Sequence, residues 1–352
     1  MLSIIVGVLT INCAVSQKSL SQETPAPPVI VQNLPPANIV YRRQQVSAIR
    51  GDLVSAAKLA LMTYSKEIKQ PWARLEIPRQ GMIFGENITV ILVDVNDEQK
   101  LVSVGIRGTD NLDDTLHDLQ IGAVQDVRLS IPIHAGFQSI AVGVLEKLHS
   151  ILTVEQFKTY SFSLTGHSLG GAVAAIVSMY LYQEGSNVTL VATFGAPRFT
   201  TNEGARKYQL LNARTYRVVR CDDVVPFMPP PNFFGWVSGG YEANGNLLLL
   251  MKPPYFDYSV GIDVERDFTY QLRTELENAG KRELLAYGHR MLSYSYVMKV
   301  NSARELATSG SNDLIPISYT AAQQRSLCPP RLGVPANMTL EHLNQIVGNR
   351  MW

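Results

Sequence analysis

The feature that most narrows the fold of this chain is a tight turn between a strand and a helix. Gly166-His-Ser-Leu-Gly170 follows directly on Tyr160-Ser-Phe-Ser-Leu-Thr165, which reads as a strand. It runs directly into Gly171-Ala-Val-Ala-Ala-Ile-Val177, which reads as a helix of small apolar residues. Gly-x-Ser-x-Gly alone is a weak pattern. Between a strand and a helix it has mechanical meaning, because the turn must hold Ser168 at positive φ with its hydroxyl clear of the sheet. Gly166 and Gly170 are needed where strand and helix approach too closely for side chains. The first amides of the helix then face the point where negative charge would develop on a reacting oxygen. Ser168 is the candidate nucleophile; the bland alternative is a buried serine in a Gly-rich turn.

The surrounding pattern suits such a turn. Leu53, Ala56, Ala57, Ala60 and Leu61 recur at helical spacing, and Pro71 closes that segment. Residues 88–95 and 101–106 read as a hairpin-like strand pair around a polar turn at 96–99. Residues 135–152 read as a helix with Phe137, Ile140, Val144, Leu145 and Leu148 on one face. Strands at 188–194 and 214–220 then alternate with helices at 169–183 and 203–211. Strands separated by helices of this length pair in parallel through right-handed crossovers. The expected class is α/β, a mostly parallel central sheet with helices on both faces. The stretch 223–263, rich in Pro and Gly, reads as irregular apart from one apolar run at Leu247–Met251. Residues 289–300 read as the last helix.

The expected organisation is a signal peptide at 1–16, a Pro-rich linker or arm at 17–40, one α/β domain at 41–305 and a tail at 306–352. Leu2–Ile11 is apolar but too short to span a bilayer, and Ala14-Val15-Ser16 is small where a signal peptidase would cut. That places the protein outside the cytoplasm. The alternative is an N-terminal extension of a cytoplasmic protein, since no Lys or Arg precedes Lys18. Cys221 and Cys328 either pair or stay as free thiols. Asn87, Asn187 and Asn337 each open an Asn-x-Thr glycosylation pattern. A net charge of +1 and the absence of any basic run give no reason to expect nucleic acid as a partner.

A serine nucleophile needs a base, and the base needs an orienting carboxylate. Of the six histidines only His289 and His342 follow Ser168. His289 opens the last helix, whereas His342 lies in a polar tail segment. For the acid, the strand ending at Arg220 leads into Cys221-Asp222-Asp223-Val224-Val225-Pro226. Carboxylates just past the C-terminal end of a parallel strand lie where such sheets place their sites. Alternation does not decide between Asp222 and Asp223. No cluster with metal-ligand spacing is present, and neither a metal nor another cofactor is expected.

Together these stretches resemble the class 3 lipase family of α/β-hydrolases. Besides the elbow, Ile106-Arg-Gly-Thr109-Asp110, Ile133-His-Ala-Gly-Phe137 and Phe194-Gly-Ala-Pro-Arg198 are similar to family motifs, in the family's order. The family's Asp-x-Val-Pro motif lands on Asp223-Val-Val-Pro226, which favours Asp223. Its final histidine lands on His289, with Tyr294 as the aromatic five residues on. The resemblance implies a triad of Ser168, Asp223 and His289. It also implies an oxyanion hole of the Leu169 and Thr109 amides, with the Thr109 hydroxyl in support. The implied substrate is an acylglycerol or related lipid ester, met in transient contact with a lipid interface. Arg107 is expected to be an ion-pair partner, and His134 and His167 to be structural. Residues 110–120 stand where the family has its lid, with Leu116 in place of the usual tryptophan. Leu112, Leu116 and Leu119 share a helical face there, either an opening flap or a fixed solvated helix. Phe233–Val237 and Leu247–Met251 either border an acyl pocket or belong to the core. A soluble short-chain esterase, a phospholipase and a catalytically silent lipid-binding homologue are the rival readings.

Overall fold

A computed structural model describes residues 36–66, 68, 72–79, 88–109, 122–229, 240–251, 256–259, 289–295, 297–298 and 328. In chain order its elements are α1 (Pro36–Met62), β1 (Ala73–Pro78), β2 (Ile88–Asn96), β3 (Leu101–Ile106), β4 (Ala123–Asp126) and β5 (Ile131–His134). There follow α2 (Ala135–Ile151), α3 (Val154–Thr159), β6 (Ser161–His167), α4 (Leu169–Gln183), β7 (Asn187–Phe194), β8 (Thr200–Thr201), α5 (Asn202–Lys207) and α6 (Gln209–Asn212). The series closes with β9 (Thr215–Arg220), β10 (Tyr241–Glu242), β11 (Asn246–Leu250) and β12 (Phe256–Ser259).

Eight strands form the main sheet in the order β1-β2-β3-β6-β7-β9-β11-β12. The inner pairs β3–β6, β6–β7, β7–β9 and β9–β11 are parallel, and the outer pairs are antiparallel. The expected β2–β3 hairpin is present, with Leu101 opposite Asn96. A second, antiparallel sheet runs β10-β8-β5-β4.

Two apolar clusters cover the main sheet. One joins α2 and α4 to alternate strand residues such as Val191 and Leu164; the other joins α1 to Ala192, Phe194 and Val218. Val191 and Ala192 adjoin in sequence yet serve different clusters, as the two-residue side-chain period of a strand demands. Helix α2 shows the periodicity expected of it, burying Phe137, Ile140, Ala141, Val144, Leu145 and Leu148. In α4 every residue from Leu169 to Leu181 is buried. A helix apolar all round is a core helix, and small residues at Gly170, Gly171, Ala172, Ala174 and Ala175 let it lie close to β6 and β7.

Three departures from the expected pattern have physical causes. The stretch 223–263 is not irregular throughout: Asn246–Leu250 is a strand paired in parallel with β9. All five of its residues are buried, so it shows no alternation to betray it. Helix α1 begins at Pro36, within the segment expected to be Pro-rich arm, since proline is tolerated in a first helical turn. The short strands β1, β4, β5 and β8 were not foreseen, because strands of two to six residues carry too little periodicity.

Candidate active site

The site is assembled at the C-terminal ends of β3, β6 and β9. Strand β6 stops at His167 and α4 starts at Leu169, so Ser168 alone makes the turn. Its φ of 55° and ψ of −131° lie where a side chain is strained, typically by about 1–3 kcal/mol. The neighbouring packing enforces that conformation. Ser168 donates its amide to the Phe194 carbonyl at 2.9 Å, and its own carbonyl accepts from the Gly171 amide at 2.9 Å. A Cβ on Gly166 would collide with the Gly170 carbonyl, and one on Gly170 with the Ile106 carbonyl. The expectation that both glycines are steric requirements therefore has named obstacles.

The Ser168 hydroxyl lies 2.7 Å from His289 Nε2. The other ring nitrogen, Nδ1, lies 2.9 Å from Asp223 Oδ2 and 3.1 Å from Oδ1. A carboxylate only accepts, so Nδ1 carries the proton and Nε2 presents its lone pair to the serine. Asp223 is fully buried and is itself held. Its Oδ1 accepts from the Val225 amide at 3.0 Å, and its Oδ2 accepts from the Tyr294 hydroxyl at 2.6 Å. The Tyr294 oxygen in turn accepts from the Arg220 amide at 3.1 Å. Burial, reinforced by the adjacent Asp223 charge, pushes the Tyr294 phenol well above the usual tyrosine range, so it serves as a donor.

The neighbouring aspartate has a different partner. Arg220 grips Asp222 with two bonds, Nε to Oδ1 at 2.9 Å and Nη2 to Oδ2 at 2.6 Å. A third bond runs from Arg220 Nη1 to the Ser293 carbonyl at 3.2 Å, tying the pair to the segment that carries Tyr294. Burial raises the Asp222 pKa above the usual carboxylate range, with Arg220 opposing the shift. Of the two candidates the fold brings Asp223, not Asp222, to His289.

Residues 107–109, which leave β3, lie flush against the elbow. A Cβ on Gly108 would meet Ser168 Cβ at 3.0 Å and the Tyr64 hydroxyl at 2.8 Å. Thr109 is buried beside it, and its Oγ1 accepts a long bond of 3.5 Å from Arg79 Nη1. Leu169 is the first residue of α4, so its amide has no partner within the helix. Leu169 thus follows Ser168 directly, and Thr109 follows Gly108, whose backbone packs against Ser168. Arg79 was missed in the sequence, where it follows a strand too short to notice. Its Nε donates to Thr89 Oγ1 at 2.7 Å, and its Nη2 donates to the Gly108 carbonyl at 3.4 Å.

His134 and His167 are held in packing and hydrogen-bond contacts. His134 stacks on Phe137 with ring centroids 4.0 Å apart and caps α2. His167 is buried between Tyr64 and the His289 carbonyl. Arg107 lies over the Tyr64 ring, 5.4 Å from its centroid, in a cation–π contact. Among the described residues no group of three or more His, Cys, Asp or Glu is placed to hold a metal ion. The segment expected to be a lid, His342, the run Phe233–Val237, and Asn87 and Asn337 lie outside the described residues.

A parallel-centred sheet with an elbow serine, a following acid and a last histidine defines the α/β-hydrolase fold. Solved structures agree on that fold. A Rhizomucor miehei lipase in complex with its propeptide superposes with a TM-score of 0.50 at 23% identity, covering 62% of this chain and 73% of that one. A lipase from Rhizopus microsporus var. chinensis gives 0.50 at 23% identity, over 64% of this chain and 83% of that one. In sequence, residues 103–233 match the Lipase (class 3) family. A secreted mono- and diacylglycerol lipase of Fusarium solani is 29% identical over 162 residues, 42% of this chain and 47% of that protein. The chain thus spans about half the length of the curated relatives it matches.

Proposed function

We propose that this protein is a serine carboxylic-ester hydrolase acting on acylglycerols or related lipid esters through an acyl-enzyme. The observation that carries the reading is the continuous chain Ser168 Oγ, His289 Nε2, His289 Nδ1, Asp223, with contacts of 2.7 and 2.9 Å. His289 removes the Ser168 proton as the oxygen attacks the ester carbonyl, forming the new C–O bond. Negative charge moves to the carbonyl oxygen, which the Leu169 and Thr109 amides receive. The Thr109 Oγ1 already accepts from Arg79, so its own proton is available to the same oxygen. The tetrahedral species collapses, the alkoxide takes the proton from His289, and the alcohol leaves. Water then repeats the sequence on the acyl-serine and restores the enzyme. Asp223 holds the imidazole in its productive tautomer throughout and stabilises the imidazolium.

The lipid substrate rests on the family resemblance and on relatives named as lipases. Extracytoplasmic location is supported by the Cys221–Cys328 disulfide, a bond that persists in oxidising compartments, and by one relative's being named as secreted.

The test is hydrolysis of p-nitrophenyl esters from butyrate to palmitate, below and above micelle formation, beside Ser168→Ala. We expect activity rising with chain length above the micelle threshold and a loss of ~10⁴-fold or more in the variant. A short-chain, interface-indifferent profile makes the protein an esterase. Folded wild type that hydrolyses none of the esters and does not react with a fluorophosphonate probe removes the hydrolase reading.

A further inference from the structure

His167 is the least expected neighbour of the candidate nucleophile. It adjoins Ser168 in sequence, and only 3% of the residue is exposed. Its ring centroid is 4.8 Å from that of His289 and 6.0 Å from that of Tyr294. Both ring nitrogens are engaged, and the partners dictate the protons. Nε2 lies 2.5 Å from the His289 backbone carbonyl, which only accepts, so Nε2 carries a hydrogen. Nδ1 lies 2.7 Å from the Tyr64 hydroxyl. In a neutral ring protonated at Nε2, Nδ1 accepts, so Tyr64 donates to it. The Tyr64 oxygen then has lone pairs to spare, and the Gly108 amide donates to it at 3.2 Å.

These bonds form one directional chain: Gly108 N–H to Tyr64 O–H to His167 Nδ1, then His167 Nε2–H to the carbonyl of His289. Its two ends are meaningful. Gly108 precedes Thr109 and packs against Ser168, whereas His289 is the residue whose ring faces the Ser168 hydroxyl. Tyr64 stands in the turn that ends α1, where backbone bonds from Thr63 to Leu59 and from Tyr64 to Leu61 hold it in place. A helix on one side of the sheet therefore reaches both halves of the site through one phenol.

We propose that Tyr64 and His167 are positioning residues, a relay that sets the oxyanion loop at Gly108–Thr109 and the base His289 in a fixed spacing about Ser168. The proposal rests on the hydrolase reading above. The relay needs a neutral His167. Burial first, and the neighbouring His289 second, hold its pKa well below the usual histidine value, so it does not compete for the proton that His289 takes up. Neither residue touches the ester; both act through what they hold. Because the spacing matters most when charge has moved to the carbonyl oxygen and to His289, the relay's contribution falls on the transition state rather than on substrate binding.

The experiment compares wild type, Tyr64→Phe, His167→Gln, His167→Asn and the double variant Tyr64→Phe/His167→Gln on one ester. Thermal melts run alongside. A trifluoromethyl ketone matched to the acyl chain reports on the oxyanion site, and a non-hydrolysable ether analogue reports on ground-state binding. Expected is a fall in kcat of roughly 10- to 100-fold for Tyr64→Phe with little change in KM, in line with the loss of part of an oxyanion site. Affinity for the ketone should fall in step while that for the ether holds. His167→Gln keeps a donor at the Nε2 position, and His167→Asn keeps an acceptor at the Nδ1 position, so each should retain more activity than His167→Ala, which is measured beside them. The double variant should lose much less than the product of the single losses, because either break opens the same chain. An active wild type matched by Tyr64→Phe in kcat and in ketone affinity overturns the relay alone. So does a set of variants whose kcat, KM and both affinities decline together with the melting temperature. A wild type that neither labels with fluorophosphonate nor hydrolyses any ester overturns the relay and the hydrolase reading together.

Discussion

Asp222 and Asp223 are adjacent, both buried and both ionisable, yet the fold gives them opposite tasks. Asp223 faces the imidazole that faces the serine; Asp222 neutralises Arg220, which is fully buried. Their substitutions should separate accordingly. Asp223→Asn should keep the fold and cut kcat by ~10⁴-fold, because an amide no longer favours the productive His289 tautomer. Asp222→Ala should instead lower stability by about 3–5 kcal/mol, the usual result of leaving a buried charge without its partner. Chemical denaturation and ester kinetics on both proteins check this pair. A second residue-scale expectation concerns acid. His167 has its folded pKa held well below the ordinary 6.5, so under 6.5 the unfolded chain binds a proton that the native state refuses. Its contribution is therefore complete above that value and is lost as pH falls toward the folded pKa. The slope is at most about 1.4 kcal/mol per pH unit. Denaturation curves between pH 7 and 5 should show that slope in wild type, and His167→Gln should flatten it.

At the scale of elements the elbow is a junction of strand, turn and helix in which the backbone carries the constraint. Ser168 keeps its strained φ only because β3, β6 and α4 meet with no room for adjustment, the Gly170 position being closed by the Ile106 carbonyl. Gly170→Ala should therefore push α4 away from β3. We expect a loss of roughly 2–4 kcal/mol, the range for overpacking and backbone displacement, together with most of the activity. Melting temperature and fluorophosphonate labelling rate measured on the same sample test it. Labelling at the wild-type rate would show that the elbow tolerates a side chain there. The α4 sequence was readable as a helix from its small apolar run. The strand β11 was not, because a strand buried on both faces has the same apolar run as a buried helix segment and only its partner β9 distinguishes it.

At the scale of the whole molecule, the disulfide joins residues 107 positions apart in the chain. Cys221 directly precedes Asp222 and Asp223, so the cross-link ties residue 328 to the loop that carries the candidate acid. A loop of that size closed in the unfolded state corresponds to about 4–5 kcal/mol in the chain-entropy account. Reduction, or Cys328→Ser, should lower stability by up to that amount. Denaturant midpoints with and without a thiol reductant test this, and coincident midpoints would show that the bond adds nothing to folding. Pairing was open in the sequence because spacing along a chain does not report distance; only the fold brought the two Cα atoms to 5.9 Å.

What the sequence by itself determined is the part of this protein written in local chemistry. The elbow at 166–170, the helical period of α2 and the order serine, acid, histidine are properties of neighbouring residues and chain order, and they needed no coordinates. The tertiary structure alone decided everything that depends on approach from elsewhere in the chain. It selected Asp223 over Asp222 by what stands opposite each carboxylate, and it brought Tyr64 to His167 across 103 positions of sequence. It also set Arg79 against the loop at Gly108. The physical reason is that periodicity encodes which face of an element is apolar, whereas hydrogen bonds between distant residues depend on how elements pack, and no local pattern records that.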